Sequence, residues 1–316
     1  MSNVNTMRVV SQDVLGGPEV LKVIEVARPK PRPNEVLVRV RAAGLNPTDW
    51  KHRETGGFLG EPPFVLGWDV SGTVEETGIG VAAFGPGDEV FGMVPYPFGH
   101  GTHAEYVIAP ARALVPKPAG IDHVQAGALP LVSLTAWQAL VENAGVEPGQ
   151  RVLIHAAAGG VGHVAVQIAK ARGAYVIGTA SAGKHDFLRE IGVDEPVDYR
   201  SVDVTQAVRD VDVVLDTVGG DTSTASLRTL RPGGTLVSIL PVGTPQLYEE
   251  AERLGVRAVR MLVDADRAGM QAVAELVEAG KLRATVAGTF PLADAAKAHE
   301  LGGTGRTTGK LVLVVD

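Results

Sequence analysis

The chain has 316 residues, more than a single hydrophobic core usually supports, so we expect two domains of ordinary size. Hydrophobic residues make up 45% of it, close to the average for soluble globular proteins, which excludes a disordered chain. With 29 Lys and Arg against 36 Asp and Glu, the net charge of −7 argues against nucleic acids or acidic membranes as partners.

The N-terminal part predicts an all-β domain. From Met7 to about Pro118, short β-branched runs such as "EVLVRVRAAG", "GDEVFGMV" and "AEYVIAP" are separated by Gly and Pro, and several alternate with period two. The polar start "MSNVNTMRVV" lacks the regions of a signal peptide, and no apolar run is long enough to cross a bilayer. We therefore expect a cytoplasmic protein.

Candidate metal ligands are scarce. The chain contains no cysteine, which excludes disulfides and every zinc site that needs thiolates. His100 and His103 stand three apart in the glycine-rich stretch "FGHGTHAEY", and we interpret them as polar loop residues. The sequence predicts no metal site.

Residues 123–265 predict a second domain. After the helical stretch "HVQAGALPLVSLTAWQALVENAG", apolar runs such as "RVLIHA", "AYVIGT", "VDVVLDTV" and "GTLVSIL" alternate with helical segments. This alternation is typical of a doubly wound parallel sheet, so the fold class is α/β. We expect the remaining strands and helices, from about residue 266 to 316, to complete the first domain, residues 1–122.

The segment "RVLIHAAAGGVGHVAVQIAKARGA" predicts a dinucleotide site, because a strand runs into a turn of small residues and then a helix. In the pattern Gly-x-Gly-x-x-Gly, Ala157 takes the first position, Gly159 the second and Gly162 the third. Ala157 is tolerable if its φ is negative. The first helical residues, from Gly160 through Val161, would direct their amides at the phosphates. Plain βα packing is the alternative.

The end of the next strand favours NADPH over NADH. An NAD site usually presents an acid there, yet from Ala174 to Lys184 there is none. Ser181 can donate a hydrogen bond and Lys184 carries a positive charge, both of which suit a 2′-phosphate, and Tyr199 is a third candidate. For Lys184 the alternative is a solvated charge at the start of a helix, where a cation opposes the dipole.

The whole chain resembles the medium-chain dehydrogenase/reductase superfamily, and within it the zinc-independent quinone oxidoreductase (zeta-crystallin-like) family. The similarity lies in "AAGLNPTDW" (42–50), "LGWDVSGTV" (66–74), "LPLVSLTAWQAL" (129–140), "AAAGGVG" (156–162), "VVLDTVGG" (213–220) and "GKLVLVVD" (309–316). It implies a GroES-like β domain, completed by the C-terminal strands, and a Rossmann domain that binds the dinucleotide.

The resemblance also implies site residues. Asn46 and Thr135 would contact the nicotinamide and the acceptor, the backbone from Leu240 to Val242 would bind the carboxamide, and Lys310 would belong to the cofactor-binding set. Asn46 has an alternative role as the start of a turn before Pro47, and Thr135 an alternative role as a helix N-cap.

Zinc-dependent relatives differ at two places. Their catalytic zinc is bound by a Cys near the position of Asn46 and by a Gly-His-Glu motif, which here reads Gly67-Trp68-Asp69. The resemblance therefore implies hydride transfer to an acceptor that is already electrophilic, with no zinc.

The proton donor is not evident from the sequence. Asp49 is our candidate acid and Asp69 is the other nearby carboxylate, although both also suit a role as structural hydrogen-bond acceptors, and water could protonate the product. Trp50, Phe58 and Phe64 would line an apolar acceptor site or belong to the core.

The resulting prediction is a reductase that uses NADPH to reduce a small apolar acceptor, a quinone or an α,β-unsaturated carbonyl. An enoyl-thioester reductase and a nucleotide-binding protein with a structural or regulatory role are the alternatives. By analogy with related dimers, we expect a homodimer formed through the strand "VRAVRMLV".

Overall fold

The computed structural model describes residues 6–240 and 245–316, and the chain divides into two compact units. The first unit contains the chain up to Leu131 together with Asp264–Glu278 and Arg283–Asp316. The second contains Val132–Val263 and Ala279–Leu282. The division at Leu131 lies nine residues after the boundary predicted at residue 122.

The first unit begins as a β domain. Its strands are β1 (Thr6–Gln12), β2 (Lys22–Ala27), β3 (Glu35–Leu45), β4 (Phe64–Val65), β5 (Asp69–Thr77), β6 (Glu89–Met93), β7 (Tyr106–Pro110) and β8 (Leu114–Pro116), with helices α1 (Pro47–Thr55) and α2 (His123–Gly127) and 3-10 turns at Pro18–Val20 and Ala111–Ala113. Strand β1 pairs with β2 and β4, and β3 pairs with β5 and β7. The predicted β character is correct, but α1 was not predicted.

Helix α1 follows directly from the residues at its start. Asn46, in extended conformation, is the N-cap, Pro47 is the first helical residue, and Asp49 accepts a hydrogen bond from the Asn46 backbone N–H at 2.6 Å. This hydrogen bond, from the N-cap backbone to the side chain at the third helical position, is one of the two in a capping box. Pro47 suits the first helical position because an N–H there would have no partner in the helix. The helix ends at Gly56, whose φ is +74°. Asn46 therefore starts a helix rather than a simple turn.

The second unit alternates strands and helices as predicted. Helix α3 (Pro130–Trp137) starts at the boundary and continues as a π-helical segment, Gln138–Asn143. The remaining elements are β9 (Arg151–Ile154), α4 (Gly160–Ala171), β10 (Tyr175–Ala180), α5 (His185–Glu190), β11 (Glu195–Asp198), α6 (Val204–Ala207), β12 (Val211–Asp216), α7 (Asp221–Ser226), β13 (Leu230–Ser238), α8 (Pro245–Leu254) and β14 (Arg257–Arg260), with 3-10 turns at Ala182–Lys184 and Leu227–Thr229.

These strands form one parallel sheet in the order β11-β10-β9-β12-β13-β14. Apolar residues of three adjacent strands, Ile177, Leu153 and Val214, have no exposed surface. The order reverses between β9 and β12, which is the arrangement of a doubly wound Rossmann sheet and confirms the predicted fold class. Strand β14 lies at one end of this order; a homodimer formed through it stays a prediction.

The last part of the chain completes the first unit. Helix α9 (Arg267–Glu278), β15 (Val286–Pro291), a 3-10 turn (Leu292–Asp294), α10 (Ala295–Gly303) and β16 (Lys310–Val314) follow in order. Strand β16 pairs with β15 and, antiparallel, with β3, where Leu311 lies opposite Leu45. This register brings Lys310 to the end of β3, next to the start of α1. Within the described ranges, no helix combines the length and the apolar character needed to cross a membrane.

Candidate active site

The glycine turn of the second unit presents free backbone amides at the carboxyl end of β9. Gly159 is the N-cap of α4. The first backbone hydrogen bond of the helix runs from the His163 N–H to the Gly159 carbonyl, at 3.0 Å. The amides of Gly160, Val161 and Gly162 precede it and so have no acceptor within the helix. The first turn carries no acidic residue, and the twelve-residue helix adds its dipole to the amides. These features suit a pyrophosphate.

Close packing explains the glycine at position 162. A Cβ on Gly162 would lie 2.3 Å from the Ala156 carbonyl oxygen and 2.7 Å from the Ala157 Cα. An alanine at this place in the pattern requires that φ not be positive, and Ala157 meets that requirement. The residue in the left-handed region is its neighbour Ala156, with φ +44°. The alanine in the first glycine position is therefore compatible with the turn.

The residues proposed for a 2′-phosphate follow two adjacent strands. Ala180 of β10 is in register with Asp198 of β11, so Ser181 and Tyr199 leave the sheet at the same edge. Lys184 is half-buried, and its N–H donates to the Ser181 carbonyl at 2.9 Å.

Arg200, which was not among the predicted site residues, also lies at this edge, directly after Tyr199. Its Nε lies 3.4 Å from the Tyr199 hydroxyl and its guanidinium 5.7 Å from the ring centre. Its position directly after Tyr199 was the available signal. Asp198, the last residue of β11, places a carboxylate at the same edge, and its Oδ1 accepts a hydrogen bond from the Arg200 N–H at 3.1 Å.

Asp216 organises the neighbouring strand ends. Its Oδ1 accepts from the N–H groups of Val218 and Gly219, and its Oδ2 accepts from the hydroxyls of Ser223 and Ser238 at 2.5 and 2.9 Å. These bonds fix the end of β13, two residues before Leu240. Val242, the other residue predicted to bind the carboxamide, lies outside the described residues.

In the first unit, the structure brings Asn46, Asp49, Asp69 and Lys310 together; we call these four the Lys310 cluster. The Lys310 Nζ donates to the Leu45 carbonyl at 2.6 Å and the Asn46 Oδ1 at 2.5 Å, and lies 3.4 Å from Asp69 Oδ2. The Asn46 Nδ2 donates to the same Asp69 oxygen at 2.8 Å. Asp69 Oδ1 accepts from the Leu131 N–H at 2.6 Å.

The Lys310 cluster is almost completely excluded from solvent. Asn46, Asp49 and Asp69 are 0% exposed and Lys310 is 2% exposed. Burial raises the pKa of Asp49 to about 7, and the nearby Lys310 charge limits that rise. Burial also raises the pKa of Asp69 and lowers that of Lys310, while each favours the charged form of the other.

These contacts bear on four predicted roles. Asp49 and Asp69 act here as structural hydrogen-bond acceptors, the role offered as the alternative to acid catalysis. The side chain of Asn46 is shared between Lys310 and Asp69, and the ammonium of Lys310 is surrounded by protein oxygens. Contacts of Asn46 with the acceptor, and of Lys310 with the cofactor, stay predictions.

His103 lies in a loop, as predicted, but its side chain is buried rather than a surface group. It is 0% exposed, and burial lowers its pKa to about 3. Its Nε2 lies 4.0 Å from Asp49 Oδ1, and its ring packs edge-on against His299, with centres 5.7 Å apart. Asp49, His103, His299 and Arg53 are thus neighbours in the buried interior, and the Arg53 Nη1 lies 3.3 Å from His299 Nδ1.

The other predicted site residues divide between core and surface. Thr135 lies inside α3, five residues after its start, so the N-cap alternative is wrong. Phe64 is buried, and Trp50 packs on α10, where a Cβ on Gly302 would come within 2.7 Å of its ring. Phe58 is 48% exposed and is the one of the three that offers an open apolar surface.

Tyr96, which the sequence analysis did not consider, lies beside Phe58. Their ring centres are 6.2 Å apart, and the Tyr96 hydroxyl is 3.0 Å from the Thr48 hydroxyl on α1. Forty-eight residues separate Tyr96 from Thr48, so no local pattern indicated the contact.

The residues present fit a dinucleotide but not zinc. The glycine turn provides the close approach and the free amides that a pyrophosphate needs. At the positions of the zinc ligands, by contrast, Asn46 binds Asp69 and Lys310, and the Trp68 indole donates to the Pro97 carbonyl at 3.1 Å. In residues 6–240 and 245–316, no three His, Cys, Asp or Glu side chains are grouped to bind a metal.

Fold and site together define a dinucleotide-binding protein with a GroES-like β domain. Two family models match the chain, the alcohol dehydrogenase GroES-like domain at residues 32–119 and the zinc-binding dehydrogenase family at residues 191–313. A 2-haloacrylate reductase from Burkholderia sp is 36% identical over 95% of this chain and 96% of its own length. The chain belongs to the quinone oxidoreductase family of medium-chain dehydrogenases/reductases.

Two further relatives agree with this family. The quinone oxidoreductase structure from Coxiella burnetii is 38% identical, with a TM-score of 0.93 over 98% of this chain and 100% of the other. The bovine mitochondrial NAD(P)H oxidoreductase RTN4IP1 is 38% identical over 71% of this chain, and the match spans 61% of that protein's length.

Proposed function

We propose that this protein is an NADPH-dependent oxidoreductase that transfers hydride to a quinone or an α,β-unsaturated carbonyl without zinc. The single observation that carries the cofactor preference is the shared sheet edge of β10 and β11, where Ser181, Lys184 and Tyr199 stand and no acid lies between Ala180 and Lys184. Membership of the quinone oxidoreductase family supports the class of acceptor.

The proposed roles of the residues follow from their positions. The amides of Gly160, Val161 and Gly162 would bind the pyrophosphate, and the cation and hydroxyls beyond β10 and β11 would bind the 2′-phosphate. The nicotinamide, when bound, supplies the hydride, and the protein's task is to hold the ring against the acceptor.

Zinc independence is supported by the side chains that occupy the ligand positions of zinc-dependent relatives. An amide already shared between Asp69 and Lys310 is a poor substitute for a thiolate. An acceptor that is already electrophilic needs no Lewis acid. We expect purified protein to contain no stoichiometric zinc and to keep its activity after treatment with 1,10-phenanthroline.

Lys184→Ala tests the cofactor preference. Loss of a charged hydrogen bond to phosphate costs about 1.5–3 kcal/mol, so NADPH affinity should fall by roughly 10- to 100-fold while NADH affinity changes little. The dissociation constants of both cofactors can be measured by titration of their fluorescence. Lys281→Ala, an exposed lysine of the same unit, is the control.

Three outcomes would count against the proposal. Equal losses for NADPH and NADH in Lys184→Ala would remove the assignment of a 2′-phosphate site. Tight NADPH binding with no turnover on a panel of quinones, enones and enoyl thioesters would favour a structural or regulatory role. Turnover of the thioesters alone would favour the enoyl-thioester reductase.

A further inference from the structure

Four aromatic rings form one cluster beside the start of α1; we call His52, Phe58, Trp68 and Tyr96 the Tyr96 cluster. His52 lies 5.9 Å from Phe58, 5.3 Å from Trp68 and 6.3 Å from Tyr96 between ring centres. Tyr96 packs nearly edge-on against both Phe58 and Trp68, at 6.2 and 5.2 Å. Such edge-to-face contacts hold the rings in defined orientations.

A short chain of polar atoms runs through the Tyr96 cluster. The Thr48 Oγ1 lies 3.0 Å from the Tyr96 hydroxyl and 3.0 Å from His52 Nδ1, and that nitrogen is also 2.7 Å from the Thr48 carbonyl. Burial lowers the pKa of His52, so the ring is neutral at pH 7 and its Nδ1–H donates to the carbonyl. The Thr48 hydroxyl lies between the His52 ring and the Tyr96 phenol, 3.0 Å from each.

The Tyr96 hydroxyl is a more accessible proton donor than the two carboxylates of the Lys310 cluster. Asp49 and Asp69 are 0% exposed and already accept hydrogen bonds from Asn46 and Leu131, whereas Tyr96 and Thr48 are half-buried and Phe58 is 48% exposed. Burial also raises the pKa of Tyr96, so the phenol keeps its proton at neutral pH. A half-exposed apolar ring, Phe58, and a half-buried phenol, Tyr96, thus lie side by side.

We propose that the Tyr96 hydroxyl binds the carbonyl oxygen of a planar apolar acceptor, a quinone or an enone, and donates the proton that completes its reduction. This assignment rests on the proposed function. Phe58 would contact the ring or alkene of the acceptor, and Thr48 is a positioning residue that orients the phenol.

The proposed step balances in charge and electrons. Hydride from the reduced nicotinamide, which would thereby be oxidised, adds to the acceptor carbon and forms a C–H bond, the π electrons move to the carbonyl oxygen, and that oxygen takes the proton of the phenol. The resulting enol tautomerises to the saturated ketone or to the hydroquinone. The tyrosinate that remains regains its proton from water. The acceptor gains two electrons and two hydrogens in total, one as hydride and one as the proton from Tyr96.

Tyr96→Phe tests the assignment because it removes only the hydroxyl. Turnover of 2-cyclohexen-1-one with NADPH should fall about 100-fold in kcat/KM, the loss expected for a general acid. Binding is measured separately, from quenching of tryptophan fluorescence by 1,4-naphthoquinone in protein without cofactor. The quinone cannot form thiol adducts because the chain has no cysteine. Loss of one hydrogen bond should weaken its binding about 5- to 10-fold.

Three further variants make the test specific. Thr48→Val should lower kcat/KM about tenfold because the phenol loses its partner, and Thr48→Ser, which keeps the hydroxyl, should restore it. Tyr106→Phe is the matched control, since Tyr106 lies on β7 with its ring under the Arg28 guanidinium, 4.1 Å from the ring centre. It should bind and turn over like the wild type.

Failure of this assignment can be told apart from failure of the proposed function. If the wild type reduces the enone and Tyr96→Phe matches it within twofold in both measurements, the role of Tyr96 is overturned. If the wild type shows no turnover with any acceptor, the reductase proposal and the proton transfer both fail. A naphthoquinone affinity unchanged by Tyr96→Phe would then also overturn the binding role.

Discussion

The glycine turn of the second unit and the Lys310 cluster of the first are polar centres built from opposite materials. The turn at residues 155–162 offers a ligand backbone amides and uses glycine to clear the space around them. The Lys310 cluster consists of side chains that bind one another and have almost no exposed surface. The turn should therefore be sensitive to added volume, whereas the cluster should be sensitive to charge above all.

The largest expected effect is the loss of the buried cation. Lys310→Met would leave Asp69 and Asp49 without the ammonium that compensates them, and breaking a buried ion pair costs about 3–5 kcal/mol. The free energy of unfolding of the first unit, measured in urea, should fall by that amount. Lys297→Met removes an exposed cation that is paired with Asp294, and it should cost under about 0.5 kcal/mol.

The double variant Asp69→Asn/Lys310→Met refines this prediction. Because the carboxylate charge leaves together with the ammonium, the double variant should recover at least half of the stability lost in Lys310→Met. A Lys310→Met variant as stable as Lys297→Met would show that the buried cation contributes little, and the contrast between the two centres would fail.

The next effect is a dependence on pH. The pKa of Asp49 is raised from 3.8 to about 7 in the folded state, so folding favours the protonated carboxyl. Its contribution is fully present below about pH 4 and is lost as the pH rises through 7. Relative to Asp49→Asn, the wild type should lose up to roughly 4 kcal/mol of stability between pH 4 and pH 8.

The comparison with Asp49→Asn removes the contributions of the buried histidines from the difference. Burial lowers the pKa values of His103 and His299, to about 3 and about 2, and their contributions grow as the pH rises through the acid range. Both proteins carry these histidines, so their effects cancel in the difference. A difference that stays flat from pH 4 to pH 8 would contradict the raised pKa of Asp49.

The smallest effect concerns volume in the glycine turn. Gly162→Ala places a methyl group 2.3 Å from the Ala156 carbonyl oxygen, and backbone must move to admit it. Overpacking of this kind costs about 1–3 kcal/mol, and the shift should also weaken dinucleotide binding. Gly303→Ala is the control, because a Cβ there meets nothing within 4 Å. Equal thermal stability of the two variants would argue against the close contact.

The same difference explains what the sequence could predict. Alternating strands and helices, together with small residues at one turn, are local patterns, and they located the parallel sheet and the start of α4. The local signal for α1 was also present, since Asn46, Pro47 and Asp49 stand at N-cap, first and third positions, but the β-rich surroundings obscured it.

Local sequence patterns could not predict the contacts of the first unit. Lys310 meets Asp69 across 241 positions and Asn46 across 264, through the pairing of β16 with β3. Tyr96 meets Thr48 across 48 positions, between the loop after β6 and helix α1. Such contacts depend on strand register, which a single sequence specifies only weakly.

The position of Lys310 in the last strand also constrains how the protein is made. Asp69 leaves the ribosome 241 residues before its buried counter-ion, which at roughly 5–20 residues per second is a delay of about 10 to 50 seconds. Over that interval β3 lacks the pairing that β16 provides, and the carboxylates keep their water. The second unit, whose last residue is Leu282, can mature earlier, so the unit that begins the chain is the one that finishes folding last.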